Sequence, residues 1–184
     1  MTIPDFEAVL GAAQEGAEWA WDILVRDVSP RLLGFFRTRG VADPEAVAGD
    51  VYVDLARSIA TFEGDEAAFN SWVFVIAYRR MSDEWRRRKR RPDEVSNGLG
   101  TEHDQVAASA EDVAMASFGT AEAARLLETL TDEQRDVISL RVVAGLTLEE
   151  TSQVVGKPIS AVKALQRRGV AALRREIERQ GVSQ

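Results

Sequence analysis

The sequence predicts an all-α protein made of two small helical domains joined by an acidic linker. Three observations predict it. Apolar residues recur at spacings of three and four along most of the chain. Helix start signals, proline or a capping box, and helix-stopping glycines punctuate those stripes. Basic residues gather in two runs, separated by a stretch that contains none.

The elements follow in order. Trp21, Leu24 and Val28 mark the first amphipathic stripe. Ser29-Pro30 reads as an N-cap followed by proline at the first helical position. A new helix is expected there, carrying Leu32, Leu33, Phe35 and Phe36 and stopping at Gly40. Asp43-Pro44 repeats the signal, and the helix after it places Val47, Val51, Leu55 and Ile59 four residues apart, facing inward. Phe62 to Asn70 lapses into Glu-Gly-Asp-Glu and reads as a loop. From Ser71 a long helix is expected, with Phe74, Tyr78, Met81 and Trp85 on the buried side. Its other side carries Arg79, Arg80, Asp83, Arg86, Arg87 and Arg90, and Pro92 ends it.

Pro92 to about Phe118 has weak periodicity and is rich in Pro, Asn, Gly, Ser and acidic residues, so it reads as a linker. The expected boundaries are 1–91 for the first domain, 92–120 for the linker and 121–184 for the second domain. In that second domain Thr131-Asp-Glu-Gln134 forms a capping box, and the helix it opens runs through Val137, Ile138, Leu140 and Ala144 to Gly145. Thr147-Leu-Glu-Glu150 opens a helix of about eight residues that stops at Gly156. Pro158 then starts a third, with Val162, Leu165, Gly169, Leu173 and Ile177 inward. A short helix, a glycine turn and a longer basic helix are the grammar of a helix-turn-helix.

Composition narrows the function. The 184 residues carry a net charge of −7, with no cysteine and one histidine, His103. Disulfide frameworks, thiolate zinc sites and cysteine nucleophiles are therefore excluded, and Ser-His-Asp chemistry is strained. The longest apolar run, Trp72 to Tyr78, is seven residues, far short of a membrane span. The expectation is a cytoplasmic protein that is no enzyme, takes no cofactor or metal and inserts into no membrane. The acidic average hides a segregation. Arg79 to Arg91 is net +6 and Lys157 to Arg179 net +5, whereas Pro92 to Ala124 has seven acidic residues and no Lys or Arg. Two cationic runs, each at the end of a helical segment, point to phosphate binding.

In a helix-turn-helix the second helix enters the major groove. Here Ser160, Ala161, Lys163, Ala164, Arg167 and Arg168 lie opposite the buried stripe, with Ile159 and Gln166 beside them. Lys and Arg donate to phosphate or guanine, Ser bonds either, and small alanines allow close approach. The earlier basic helix interleaves its arginines with Trp72, Phe74, Tyr78 and Trp85. Aromatics of this kind stack on unpaired bases, although the spacing of the last three also suits a buried stripe. Asp43, Glu45, Asp50 and Asp54 form an acidic group on the helix before it. A two-carboxylate metal site is one reading of that group. A surface for a basic partner is the better one, since no Glu-x-x-His pair accompanies it.

The two halves together resemble the small extracytoplasmic-function (ECF) sigma factors of the sigma-70 family, two helical domains and a linker. Residues 43–55, DPEAVAGDVYVDL, look like the family's polymerase-binding helix, commonly DAEDLVQEVFLRLW. Residues 69–87, FNSWVFVIAYRRMSDEWRR, resemble its RAWLxxIAxNxxxDxxRR segment, which opens and reads the minus-ten element. Residues 130–141 and 145–165 resemble its domain for the minus-thirty-five element. The resemblance implies core RNA polymerase (clamp and flap), promoter DNA and an anti-sigma factor as partners. It implies that Asp43, Glu45, Asp50, Tyr52 and Asp54 meet the polymerase. It assigns Asn70, Trp72, Arg79, Arg80, Asp83, Arg86 and Arg87 to the minus-ten element, with a flipped base in the loop 62–70. Ser160, Ala161, Lys163, Ala164, Arg167 and Arg168 fall to the minus-thirty-five element. The acidic linker suits a strand that imitates nucleic acid in a basic channel. Apolar surface near Trp21, Leu24, Val47 or Leu126 would serve an anti-sigma protein. The chain departs from the pattern at Ala46 and Gly49, which replace a usual Asp and Gln, at Arg79, where Asn is frequent, and at Lys157-Pro158.

Two rivals remain at this stage. A self-sufficient regulator would bind DNA tightly without polymerase, whereas the net negative charge predicts weak autonomous binding. A helical carboxylate-metal enzyme would bind a divalent ion through Asp50 and Asp54.

Overall fold

The computed structural model describes residues 3–90 and 125–181. The expected linker at 92–120, with His103, lies outside the described residues, which contain helices and turns and no strand. The first group comprises α1 (Phe6–Gln14), α2 (Glu18–Thr38), α3 (Pro44–Ser58), a 3-10 turn (Ile59–Thr61) and α4 (Glu66–Arg90). The second comprises α5 (Asp132–Ile138), which runs on as a π-helical turn (Ser139–Val143), α6 (Leu148–Val155) and α7 (Ile159–Gly181).

Most punctuation acts as the sequence reads. The Asp43 carboxylate accepts from the Ala46 amide at 2.9 Å and starts α3. Both capping boxes form, Thr131 with Gln134 and Thr147 with Glu150. Each satisfies backbone donors that the first helical turn leaves free. Gly40 and Gly156 end α2 and α6 at φ 67° and 64°, a left-handed conformation that costs glycine little.

Three expectations need correction. Ser29-Pro30 starts no helix: α2 is one 21-residue helix with Pro30 inside it. Proline removes one backbone donor and costs about 3 kcal/mol in a helix interior. Leu24, Val28, Leu32, Phe35 and Phe36 are buried along one continuous face across that point, and their burial outweighs the loss. The Ser29 hydroxyl turns back to the Val25 carbonyl at 2.6 Å instead of capping. Secondly, α4 starts at Glu66, before Ser71. Asp65 accepts from the Ala68 amide at 2.8 Å as its cap, and Phe69 in the first turn is buried. Finally, Ile177 is exposed, because α7 outruns the elements it packs on.

The core of the first group is aromatic. Phe35 meets Phe74 edge-on at 5.9 Å, and Phe69, Leu24, Leu32, Val51 and Met81 are fully buried around them. Gln14 clamps α1 to the end of the 3-10 turn by donating to the Ile59 and Phe62 carbonyls at 3.0 and 2.8 Å. In the second group Val137, Val162 and Leu165 form a small cluster. A Cβ on Gly169 would stand 3.0 Å from the Ile138 side chain, so a larger residue there would make Ile138 give way by a few tenths of an ångström where α5 and α7 meet.

The two groups are packed together. Leu140, Ala144, Leu146 and Val154 of the second group belong to the same apolar cluster as Phe35, Phe74 and Met81 of the first. Helix α4 lies along α6, and α2 lies against the π-helical turn.

Candidate nucleic-acid interface

Two helices carry the cationic surfaces. On α7, Ser160, Lys163, Arg167 and Arg168 are exposed, with Ala161 and Ala164 half-buried between them. The turn before α7 orients this row: Lys157 pairs with Glu133 at 2.7 Å, and Ser152 bonds the Lys157 carbonyl. Lys157 holds the Glu133 carboxyl below the usual carboxylate range. Lys163 and Arg167 make no hydrogen bond or ion pair among the described residues, so their donors face solvent. The row continues as a shallow concave flank through Gln166, Val170, Arg174 and Arg175.

On α4 the arginines are partly engaged. Arg79 is exposed and unpaired among the described residues. Arg80 grips Asp54 of α3 with two donors, Nε at 2.6 Å from Oδ2 and Nη2 on Oδ1. That fork raises the Arg80 pKa and holds the Asp54 carboxyl below its ordinary value, first through the hydrogen bonds. Arg86 pairs with Asp83 at 3.0 Å, and Arg87 reaches Glu84 at 3.9 Å, both on the solvent side. At the start of the helix Asn70 accepts from Arg31 at 2.8 Å. Trp72 is stacked on Phe62 with centroids 4.8 Å apart, and both rings contact Phe69. The loop before α4 thus rests on an aromatic floor.

The acidic group of α3 divides. Asp43, Glu45 and Asp50 are exposed, and Glu45 accepts from Arg37 at 2.7 Å. Tyr52 and Asp54 turn inward, Tyr52 sharing a 2.6 Å hydrogen bond with Ser29 and Asp54 held by Arg80. Among the described residues no three His, Cys, Asp or Glu side chains come together as a metal ion would need. Of the apolar positions expected at the surface, Leu24 and Val47 are buried in the core. The exposed large apolar residues of α2 and α3 are Trp19, Ile23 and Val53.

Sequence reasoning missed a polar node between the two groups. The Arg39 side chain, at the end of α2, is fully buried, with Nε 2.7 Å from Asp136 Oδ1 of α5. The contact is close as an ion pair but poorly aligned as a hydrogen bond, so the guanidinium nitrogens lack a hydrogen-bond partner. Tyr78 of α4 donates to Asp136 Oδ2 at 2.9 Å, and the Arg39 guanidinium lies 4.6 Å from the centre of the Trp85 ring. Burial pushes Arg39 down, Asp136 up and Tyr78 up, so the site disfavours each charged form. Asp136 is the one carboxylate among the buried residues of the described chain. Its signal in the sequence was slight: an acid beside Val137 and Ile138 where the helix turns inward.

Comparison with known proteins fits this geometry. Residues 24–91 match the family model for sigma-70 region 2, and residues 126–175 match that for sigma-70 region 4. The chain is 31% identical over 183 residues to the ECF RNA polymerase sigma factor ShbA of Streptomyces griseus, covering 92% of this chain and 96% of that protein. It is 30% identical over 141 residues to BldN of Streptomyces coelicolor, covering 77% of this chain and 53% of BldN, so it spans about half that relative's length. It is 29% identical over 174 residues to SigD of Mycobacterium tuberculosis, covering 93% and 81%. Its fold is similar to CnrH, solved in complex with the cytosolic domain of CnrY, at a TM-score of 0.69 and 22% identity, covering 93% of this chain and 96% of that one. No helix among the described residues is long and apolar enough to cross a membrane. With α4 in region 2 and the helix-turn-helix in region 4, the chain belongs to the ECF sigma factors of the sigma-70 family, which act in transcription initiation as subunits of RNA polymerase.

Proposed function

We propose that this chain acts in the cytoplasm as a non-catalytic specificity subunit, with its contacts divided among three helices. The exposed Asp43, Glu45 and Asp50 of α3 meet the polymerase clamp, and Tyr52 and Asp54 brace that helix from behind. On α4, Arg79, Arg86 and Arg87 hold the backbone at the minus-ten element, Arg80 and Asp83 shape that face, and Asn70 and Trp72 border the loop that receives an unstacked base. On α7, Ser160, Ala161, Lys163, Ala164, Arg167 and Arg168 enter the major groove at the minus-thirty-five element. The units 1–91 and 121–184 act as separate modules, and the acidic 92–120 segment runs through the polymerase between them. An anti-sigma protein is the expected regulator, and Trp19, Ile23 and Val53 are apolar surface it can cover.

The exposed row on α7 carries this reading, because it leaves Lys163 and Arg167 free to donate. Run-off transcription with core polymerase on a genomic fragment library is the test. Initiation at a discrete promoter set that requires the protein is the expected result. Absence of association with core enzyme, or tight specific DNA binding without it, would overturn the proposal.

A further inference from the structure

We infer that Gln14 of α1 is a positioning residue for the minus-ten contact, its side-chain amide fixing the loop before α4 in the shape that accepts an unstacked base. Helix α1 precedes the residues matched to region 2, which begin at 24. The base-capture half of this inference rests on the reading above; the ordering of the loop by Gln14 does not.

The loop 62–65 is held at both ends by the start of the chain. Ile59 and Phe62 bracket the turn that leads into it, and Gln14 Nε2 donates to both carbonyls, at 3.0 and 2.8 Å. A side-chain amide has two N–H donors, and these acceptors use both. The Ile59 carbonyl also accepts from the Phe62 amide at 3.0 Å, which closes the turn. At the other end Glu66 accepts from the Ile3 amide at 3.1 Å, one residue after Asp65 caps α4. The floor beneath is shared in the same way. Phe6 of α1 lies 5.6 Å from Phe69, the ring that also meets Phe62 and Trp72.

Between these anchors the loop has little slack. A Cβ on Gly64 would stand 2.8 Å from the Ala68 Cβ and 3.1 Å from the Phe62 ring. Glu63, Gly64 and Asp65 are nevertheless exposed. A loop that is both exposed and fixed has already lost the freedom that binding would otherwise cost it. Unstacking the base is then the main cost left to meet. Gln14 suits this role better than core packing. It is half-buried and commits its polar end to main-chain carbonyls 45 and 48 positions away, which water would otherwise satisfy at an exposed turn.

Two variants of opposite chemistry test this. Gln14→Glu keeps the shape but replaces the donors by an acceptor, and Gln14→Lys restores donors at similar reach. In the free proteins, hydrogen exchange of the Phe62 amide, followed by nuclear magnetic resonance, reads the loop. Exchange about tenfold or more faster in Gln14→Glu, and near the parent rate in Gln14→Lys, is expected. In holoenzyme, unstacking is read on forked DNA from a promoter recovered by run-off transcription, with 2-aminopurine in the exposed non-template strand. Gln14→Glu should need about tenfold more of this DNA for the fluorescence change and lose discrimination at one base position. Core-enzyme association and binding to minus-thirty-five duplex should stay within about twofold of the parent. Exchange that is the same in both variants, or unchanged by either, overturns the ordering of the loop. Faster exchange that leaves base capture intact, or that comes with equal losses of core association and duplex binding, overturns the positioning role. Should the parent initiate without a fluorescence change, or be inert with core enzyme, the reading of the loop as a base site fails and takes the base-capture half with it. Exchange in the free chain still decides the ordering.

Discussion

Helices α4 and α7 both carry arginine rows, yet the fold treats them differently. Helix α7 packs one stripe, Val162 and Leu165 among it, on its own small group and leaves Lys163 and Arg167 free. Helix α4 is enclosed on several sides: Phe74 in its own bundle, Tyr78 and Trp85 at the junction with the second group, and Arg80 tied to α3. The difference separates a cationic row open to solvent from one whose helix is held by neighbours on several sides. Charge alone, net +6 for one run and +5 for the other, does not distinguish them.

The largest effect should come from the node that encloses α4. Asp136→Ala leaves the Arg39 guanidinium buried with only the solvated Asp132 carboxylate, 3.9 Å away, as counter-charge; removing one partner of a buried pair costs about 3–5 kcal/mol. Parting of the two groups relieves that cost by returning Arg39 to water, so the variant should part there before it unfolds. Scanning calorimetry should then resolve two transitions where the parent has one. A single transition, lowered as a unit, would mean that the two groups fold as one indivisible core.

An insult confined to the other helix should be smaller and local. Gly169→Leu forces a side chain against Ile138, where even a Cβ comes within 3.0 Å. Overpacking of this kind costs about 1–3 kcal/mol. It should weaken binding to minus-thirty-five DNA and lower the melting of the second group while sparing the first. Proteolytic stability of the two groups, measured separately by mass spectrometry, reads this out. Equal loss in both would erase the distinction between the helices.

How much of this contrast was legible follows the range of the interactions. The α7 face could be read because its determinants are local: capping boxes at Thr131 and Thr147, a glycine at 156, and apolar spacing that leaves Lys163 and Arg167 outside. The α4 stripe Phe74, Tyr78, Met81 and Trp85 was read correctly as an inward face, but spacing cannot say what it faces. Tyr78 of that stripe finds its partner 58 positions away, in the hydrogen bond to Asp136. Ser29-Pro30 misled for a related reason. A local start signal lost to a buried face running from Leu24 to Phe36, which only the assembled core rewards. Asp65 was readable as a cap, and the polar Glu-Gly-Asp-Glu string around it obscured the early start of α4.

The contrast sharpens further at single arginines. Arg167→Ala should leave melting unchanged and lower the salt slope of promoter binding by about 1, as expected for one lost phosphate contact, or relax one base preference if it reads guanine. Arg80→Ala should change both melting and binding, since the same guanidinium braces α3. Holoenzyme–promoter affinity at several salt concentrations, set beside thermal melts, separates the two. Identical behaviour of the two variants would show that pairing with Asp54 has no bearing on the α4 face.

The smallest effect concerns pH. Asp54 titrates below its ordinary range because Arg80 donates to the carboxylate, with Arg57 adding attraction and partial burial opposing. A carboxyl depressed in the folded state contributes stability that is complete above its unfolded value, about 3.9, and is lost as pH falls through the lower folded value. The pair is partly solvated, so its contribution is at most about 1 kcal/mol. Asp54→Asn should therefore melt slightly below the parent at neutral pH, and the two melting curves should converge below about pH 4. Curves that stay parallel down to pH 3 would mean that the fork between Arg80 and Asp54 orients α4 without stabilising it.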